Sequence, residues 1–224
     1  TILALNRKIV SDMNQAKKQL SKKLLSGRGQ GKSAGKIRII AGKYKGRKLP
    51  VLMAEGLRPT TDRVKETVFN WLMPYISQAN CLDCFAGSGS LGFEALSRGA
   101  AQVTLVELNR SAAQQLLENK ALLKANNLTV IHSDVLIFLK EGSLKPSSAS
   151  SDSKPFDLVF LDPPFRQQLV EQTAQLLNRC GLAEDALIYV EMEAESQQVI
   201  PENWQLLKEK LAGQVIYQLY QYQP

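Results

Sequence analysis

Along the 224-residue chain, short apolar runs of strand type alternate with longer stretches in which apolar residues recur at helical spacing. Strand-like runs occur at 81–85, 102–107, 129–132, 157–161 and 186–191, and helix-like stretches at 91–97, 111–125 and 167–179. This alternation predicts a mostly parallel sheet covered on both faces by helices. Upstream, Thr60-Thr61-Asp62-Arg63-Val64-Lys65-Glu66-Thr67 follows Pro59 and opens another helix. Thr61 or Asp62 can cap it, and Val64, Val68, Phe69 and Leu72 share its apolar side. The β-branched and aromatic run at 214–222, after Gly213, predicts a last strand, antiparallel at or near an edge.

The front of the chain follows neither rhythm. Residues 1–35 carry Lys17-Lys18, Lys22-Lys23 and a closing Gly27-Arg28-Gly29-Gln30-Gly31-Lys32-Ser33. That composition belongs to flexible arms, although Leu20 and Leu24 could line a short helix. Ile37-Arg38-Ile39-Ile40, a turn between Gly42 and Gly46, and Arg47-Lys48-Leu49 then predict a small hairpin studded with cations. The expected organisation is a basic arm (1–35), a basic hairpin (36–56) and one catalytic domain (57–224). Within that domain, 143–154 holds six serines and Pro146 and predicts a surface loop.

Charge sharpens this division. Of 28 Lys and Arg, 14 fall in residues 1–50, where Asp12 is the only acid; the remainder holds 14 against 20 acids. A basic front on an acidic body suits a polyanionic partner, because Lys and Arg contacts to phosphates gain affinity through counterion release; a solvated basic tail is the alternative. No apolar run approaches the roughly 20 residues that cross a bilayer, and no signal-peptide core is apparent, so a cytoplasmic location is expected. Cys81 and Cys84 are spaced C-x-x-C, but residues three apart on a strand point to opposite faces. With Cys180 distant and His132 the sole histidine, neither a metal site nor a Cys/His nucleophile is expected.

Two segments carry candidate chemistry. Asp83-Cys84-Phe85-Ala86-Gly87-Ser88-Gly89-Ser90-Leu91-Gly92 ends a strand, turns on glycines and opens a helix, and Glu107 lies 20 residues past Gly87. By spacing alone this could serve a nicotinamide nucleotide. Asp83 argues otherwise, because a carboxylate at that turn would repel a pyrophosphate. It suits an ammonium, as in the methionine moiety of S-adenosylmethionine. Glu107 can accept from ribose hydroxyls, and Asp134 can accept from an adenine amine. All three acids follow predicted strands, at the edge where open α/β sheets bind ligands.

Asp162-Pro163-Pro164-Phe165 follows the apolar run Leu158-Val159-Phe160-Leu161. Two prolines take the backbone rigidly out of a sheet and contribute no N–H. The Asp162 carboxylate and the Pro163 carbonyl can therefore accept both hydrogens of an exocyclic amine and turn its lone pair toward a sulfonium methyl. Phe165 offers a face for an extruded base.

In this order, the glycine and Asp-Pro-Pro-aromatic motifs resemble those of class I methyltransferases. More narrowly, five motifs are similar to the bacterial ribosomal RNA small-subunit methyltransferase D family: Ile37-Arg38-Ile39-Ile40-Ala41-Gly42, Gly46-Arg47-Lys48-Leu49, Leu57-Arg58-Pro59-Thr60-Thr61-Asp62-Arg63-Val64-Lys65-Glu66-Thr67, Phe69-Asn70-Trp71-Leu72 and Leu161-Asp162-Pro163-Pro164-Phe165. Gly213-Gln214-Val215-Ile216-Tyr217-Gln218-Leu219-Tyr220 also fits, so the resemblance runs over about 36–220.

The resemblance implies a Rossmann-like fold with a mostly parallel seven-stranded sheet and a basic N-terminal hairpin. It also implies methyl transfer from S-adenosylmethionine to the N2 amine of one guanine in 16S rRNA, with the assembling small subunit as partner; separately, a monomer is expected. Residues 58–70 would fold over the methionine end of the cofactor, and Asp162, Pro163, Pro164 and Phe165 would hold the base. Candidate cofactor contacts are Thr61, Asp83, Phe85, Gly87, Ser88, Gly89, Glu107, Leu108, Asp134 and Val135. Candidate RNA contacts are Arg38, Lys43, Lys45, Arg47, Lys48, Arg58 and Arg63. Residues 1–35 and the serine-rich loop depart from the family pattern. A guanine edge presents N1–H beside its amine, which suits an acceptor-only carboxylate, whereas adenine presents a lone pair there. An adenine-N6 methyltransferase and a non-catalytic RNA-binding assembly factor are the competing readings.

Overall fold

The computed structural model describes residues 35–52, 62–141, 154–179 and 181–224. Residues 1–34 of the basic arm, Arg58, Thr61, Cys180 and nearly all of the serine-rich loop lie outside the described residues.

The hairpin is formed by β1 (Gly35–Arg38) and β2 (Lys48–Val51), paired antiparallel with Ile37 opposite Leu49 and Arg38 opposite Lys48. Strand alternation buries Ile37, Leu49 and Val51 and leaves Lys36, Arg38 and Lys48 exposed. Next comes helix α1 (Asp62–Leu72), which buries Val68, Phe69 and Leu72.

The main sheet alternates with helices as the pattern predicts: β3 (Asn80–Asp83), α2 (Ser90–Ser97), β4 (Gln102–Glu107), α3 (Arg110–Leu123), β5 (Leu128–His132), α4 (Val135–Lys140), β6 (Phe156–Leu161), α5 (Leu169–Leu177) and β7 (Leu182–Glu193). Two further strands, β8 (Trp204–Ala212) and β9 (Val215–Tyr222), complete seven in the order β5-β4-β3-β6-β7-β9-β8. Strands β3 to β7 pair in parallel, while β9 runs antiparallel to both β7 and β8. The predicted last strand is thus antiparallel and lies one position in from the edge.

Both faces of the sheet are buried. Cys81, Phe160, Tyr189 and Leu219 join α1, α2 and the hairpin in one core cluster, whereas Cys84, Val159, Val190 and Tyr220 join α4 and α5 in the other. The two cysteines therefore face opposite sides, as their spacing on a strand requires. Among the described residues no helix is long and apolar enough to cross a membrane, and no His/Cys/Asp/Glu group could hold a metal.

Two elements elude a periodicity reading. Helix α4 is Val-Leu-Ile-Phe-Leu-Lys, too short and too uniformly apolar to show a helical period. Strand β8 contains Lys208-Glu209-Lys210, and a register shift between Leu206 and Lys208 breaks its alternation. Charges and a bulge suit the edge position, where unpaired backbone would otherwise recruit another strand.

Candidate active site

The chain winds from β3 to β4 and β5 on one side and places β6 and β7 on the other, so the sheet reverses its winding between β3 and β6. Ligands of open α/β sheets bind outside the carboxyl ends at such a point. Asp83 ends β3, and Asp162 immediately follows β6.

Asp83 is 2% exposed, and its Oδ2 accepts the Gly92 N–H at 3.1 Å. Burial pushes its carboxyl up to about 7, against the lowering effect of hydrogen bonds from the Gly92 and Phe85 backbones, with Glu107 adding repulsion. The turn that follows has Gly87 and Gly89 at φ 51° and 76°, in the left-handed region. At Gly89 a β-carbon would also stand 2.5 Å from the Phe93 ring, so the turn admits only glycine there. Glu107 pins the loop: Oε2 accepts the Gly87 N–H and Oε1 the Asn109 N–H, both at 2.7 Å. Asp134 caps α4 through Oδ1, accepting from Leu136 at 2.7 Å.

Asp83, Glu107 and Asp134 thus stand at or just beyond the carboxyl ends of β3, β4 and β5, each holding a backbone N–H with lone pairs to spare for a ligand. Phe85 is half-buried, Leu108 is exposed and Val135 is a core residue. Beside Gly87 and Ser88 the described residues enclose only about 10 Å³, walled by Val51, Leu52 and Leu116. The donor set, rich in carboxylate, fits a cationic ligand bearing hydroxyl and amine donors better than a phosphate.

After β6 the chain leaves the sheet at Asp162 and Pro163, the first half-buried and the second buried, while Pro164 and Phe165 are exposed. Arg166 and Gln168 then adopt φ 63° and 52°, rare for residues with a side chain. The Arg166 N–H donates to Glu193 at the end of β7 and anchors the motif's far side.

The cationic hairpin is clamped to the helix that follows the glycine turn. Fully buried Glu94 on α2 accepts the backbone N–H groups of Ile40 (2.8 Å) and Ala41 (3.0 Å) and the Arg98 Nε (2.8 Å). Ser97 donates its hydroxyl to the Ala41 carbonyl and accepts the Tyr44 N–H, and its own carbonyl accepts the Lys43 N–H at 2.7 Å. Gly42 lies so close that a β-carbon would fall 1.9 Å from the Ser97 oxygen. Lys65 of α1 is 1% exposed; its Nζ donates to the Arg38 carbonyl at 2.7 Å and to the Ser90 hydroxyl at 3.3 Å. Burial holds its pKa below the usual lysine value, while Glu94 and Asp62 oppose that shift.

The docked hairpin leaves Lys43, Lys45, Arg47 and Lys48 exposed. Of the other candidate RNA contacts, Arg38 is exposed but paired with Asp62 at 2.9 Å, and Arg63 is exposed on α1. Sequence reasoning missed Glu94, Ser97 and Lys65. A charged or hydroxyl residue on a helix ordinarily signals the solvent face, so only a polar position inside the apolar run 91–97 could have hinted at Glu94.

The strand order, with antiparallel β9 inserted between β7 and β8, and the acids and glycine turn at the carboxyl edge define a Rossmann-like class I methyltransferase. The comparisons with known proteins narrow this. A family model described as "Conserved hypothetical protein 95" matches residues 37–221. The ribosomal RNA small subunit methyltransferase D of Escherichia coli strain K12 is 54% identical over 190 residues, 84% of this chain and 91% of its own. Its Haemophilus influenzae counterpart is 56% identical over 190 residues, 84% of this chain and 94% of its own. A solved structure described as a putative methyltransferase from Escherichia coli superimposes with a TM-score of 0.74 at 54% identity, covering 84% of this chain and 99% of that one. The chain belongs to the ribosomal RNA small subunit methyltransferase D family.

Proposed function

We propose that this protein transfers a methyl group from S-adenosylmethionine to the exocyclic N2 amine of one guanine in 16S rRNA, acting on the assembling small subunit. The observation that carries the proposal is the juxtaposition, at the reversal between β3 and β6, of an acid-lined glycine turn with Asp162-Pro163-Pro164-Phe165. S-adenosylmethionine supplies an electrophilic methyl on a sulfonium.

Asp83 holds the ammonium of the methionine moiety, and Glu107 accepts from the ribose hydroxyls. Asp134 accepts from the adenine amine beside Leu108 and Val135, with Phe85, Gly87, Ser88 and Gly89 forming the turn. Thr61 belongs to this set by family resemblance alone. An exocyclic amine is a weak nucleophile because its lone pair is delocalised into the ring. The Asp162 carboxylate and the Pro163 carbonyl accept its two N–H bonds and expose the lone pair, and Asp162 stabilises the positive charge that grows on nitrogen. Formation of the new N–C bond would be matched by cleavage of the methyl–sulfur bond, the sulfonium leaving as a neutral thioether, and one proton would then leave the nitrogen with Asp162 as the nearby acceptor. Phe165, 40% exposed, stacks on the extruded base. Lys43, Lys45, Arg47 and Lys48, with Arg38, Arg58 and Arg63, track the RNA backbone and supply salt-dependent affinity.

Incubation of purified protein with labelled S-adenosylmethionine and small subunits lacking the modification tests the substrate. Label is expected in 16S rRNA. Label appearing only in DNA or in large-subunit RNA would overturn the assignment, and undetectable cofactor binding by calorimetry would favour a non-catalytic assembly factor.

A further inference from the structure

A second acid, Glu191, lies on β7 close enough to the Tyr189 phenol to act on it together with Asp162, and it has no part in gripping the amine. The last register pair between β6 and β7 is Leu161 with Val190, so Asp162 and Glu191 are the next residues along two parallel neighbours. Paired strands lie about 4.8 Å apart, and Asp162 follows the last paired residue as the chain leaves the sheet. Alternation sets both on one face: two residues earlier, Phe160 and Tyr189 belong to the same core cluster and meet edge to face at 6.3 Å.

Glu191 is 9% exposed, and a carboxylate so far removed from water needs partners. The fully buried Tyr189 hydroxyl donates to its Oε2 at 2.9 Å. Burial, with both Glu191 and Asp162 nearby, keeps that phenol well above its ordinary pKa, so it remains a donor throughout the working range. On the other side, Tyr217 of β9 pairs with Glu191 in register and is 2% exposed. An ionised carboxylate has about four lone-pair sites, and the bond from Tyr189 orients one of the two Glu191 oxygens.

We propose that Glu191 is a specificity-determining residue: oriented by Tyr189 beside Asp162, its carboxylate accepts the N1–H of the guanine whose N2 amine Asp162 and Pro163 hold. This rests on the amine-methylation reading given above. Guanine's edge offers two adjacent donors, N1–H and the amine, to two adjacent acids. Adenine and 2-aminopurine each offer an amine beside an N1 lone pair, which a second carboxylate repels. One acid suffices to hold an amine; the pair selects the base that carries it.

The test compares kcat/KM on small subunits reconstituted with 16S rRNA that carries guanine or 2-aminopurine at the target position. Glu191→Gln keeps an oxygen for Tyr189 and adds an N–H that can face a lone pair. It is expected to lower the guanine-to-2-aminopurine ratio by roughly tenfold to a hundredfold, the discrimination that a paired base contact supplies, with cofactor affinity unchanged. Tyr189→Phe, which retains the ring and removes the hydroxyl that donates to Glu191, is expected to lower the ratio less. An unchanged ratio in Glu191→Gln overturns the proposal, as does an unchanged ratio in Tyr189→Phe should the first variant fail to fold. If the unaltered protein methylates neither base at the C2 amine, the reading of the reaction itself fails, independently of Glu191.

Discussion

Asp83 provides a prediction whose size follows from the structure. Its carboxyl is held at about 7 in the ligand-free protein, chiefly by burial. A ligand ammonium attracts the ionised form, so binding below that value must first remove a proton. Affinity for S-adenosylmethionine should therefore weaken by nearly tenfold for each pH unit below 7, with about one proton released per molecule bound at pH 6. Titration calorimetry between pH 5 and 7, in buffers of different ionisation enthalpy, reads both quantities. Asp83→Asn should bind weakly with no such slope, and its profile also corrects for titration of the ligand. The sign for folding is opposite. Because the folded-state pKa is raised, the group's stabilising contribution is full at acid pH and is lost as pH rises through about 7, a difference on the order of a few kcal/mol. Ligand-free Asp83→Asn should accordingly melt above the unaltered protein at pH 8. A flat affinity profile in the unaltered protein, or an equal slope in the variant, would refute the proposed role of Asp83.

Other predictions concern the motif and the hairpin. Asp162→Ala should abolish turnover and leave the Kd for S-adenosylmethionine nearly unchanged; a comparable loss of both, by single-turnover assay and calorimetry, would reassign the residue. Gly42→Ala introduces a carbon 1.9 Å from the Ser97 oxygen at φ 81° and should cost about 1–3 kcal/mol in urea unfolding, with RNA affinity falling more than cofactor affinity. Replacing Lys43, Lys45, Arg47 and Lys48 with Gln should weaken RNA binding and reduce the slope of log K against log salt by up to about 3, given roughly 0.7–0.9 per phosphate contact. An unchanged slope would remove the hairpin from the interface.

How much of this could be read from sequence depends on the kind of signal each residue leaves. The alternating strands and helices were legible because the inner parallel strands are buried on both faces, which writes continuous apolar runs such as Leu158-Val159-Phe160-Leu161. Acids that end such runs, Asp83, Glu107 and Asp162, stand out against them. Strand β8 was not legible because an edge strand is written in charges, and α4 because five consecutive apolar residues carry no period. Glu191 was invisible for another reason. It lies within the last residues of β7, where its spacing in sequence says nothing of Asp162, 29 positions earlier; only the β6–β7 register brings the two together. Likewise Glu94 reads as one polar position in an apolar helix until the hairpin backbone is seen to converge on it.

The central claim is that Asp162-Pro163-Pro164-Phe165 presents the C2 amine of a guanine for methylation. Nucleoside analysis of 16S rRNA, after reaction of unmodified small subunits with the purified protein and labelled S-adenosylmethionine, tests it most directly. The account predicts that the label resides in N2-methylguanine and is absent when Asp162→Ala replaces the unaltered protein. Label in N6-methyladenine, or on a ring nitrogen of guanine, would contradict it.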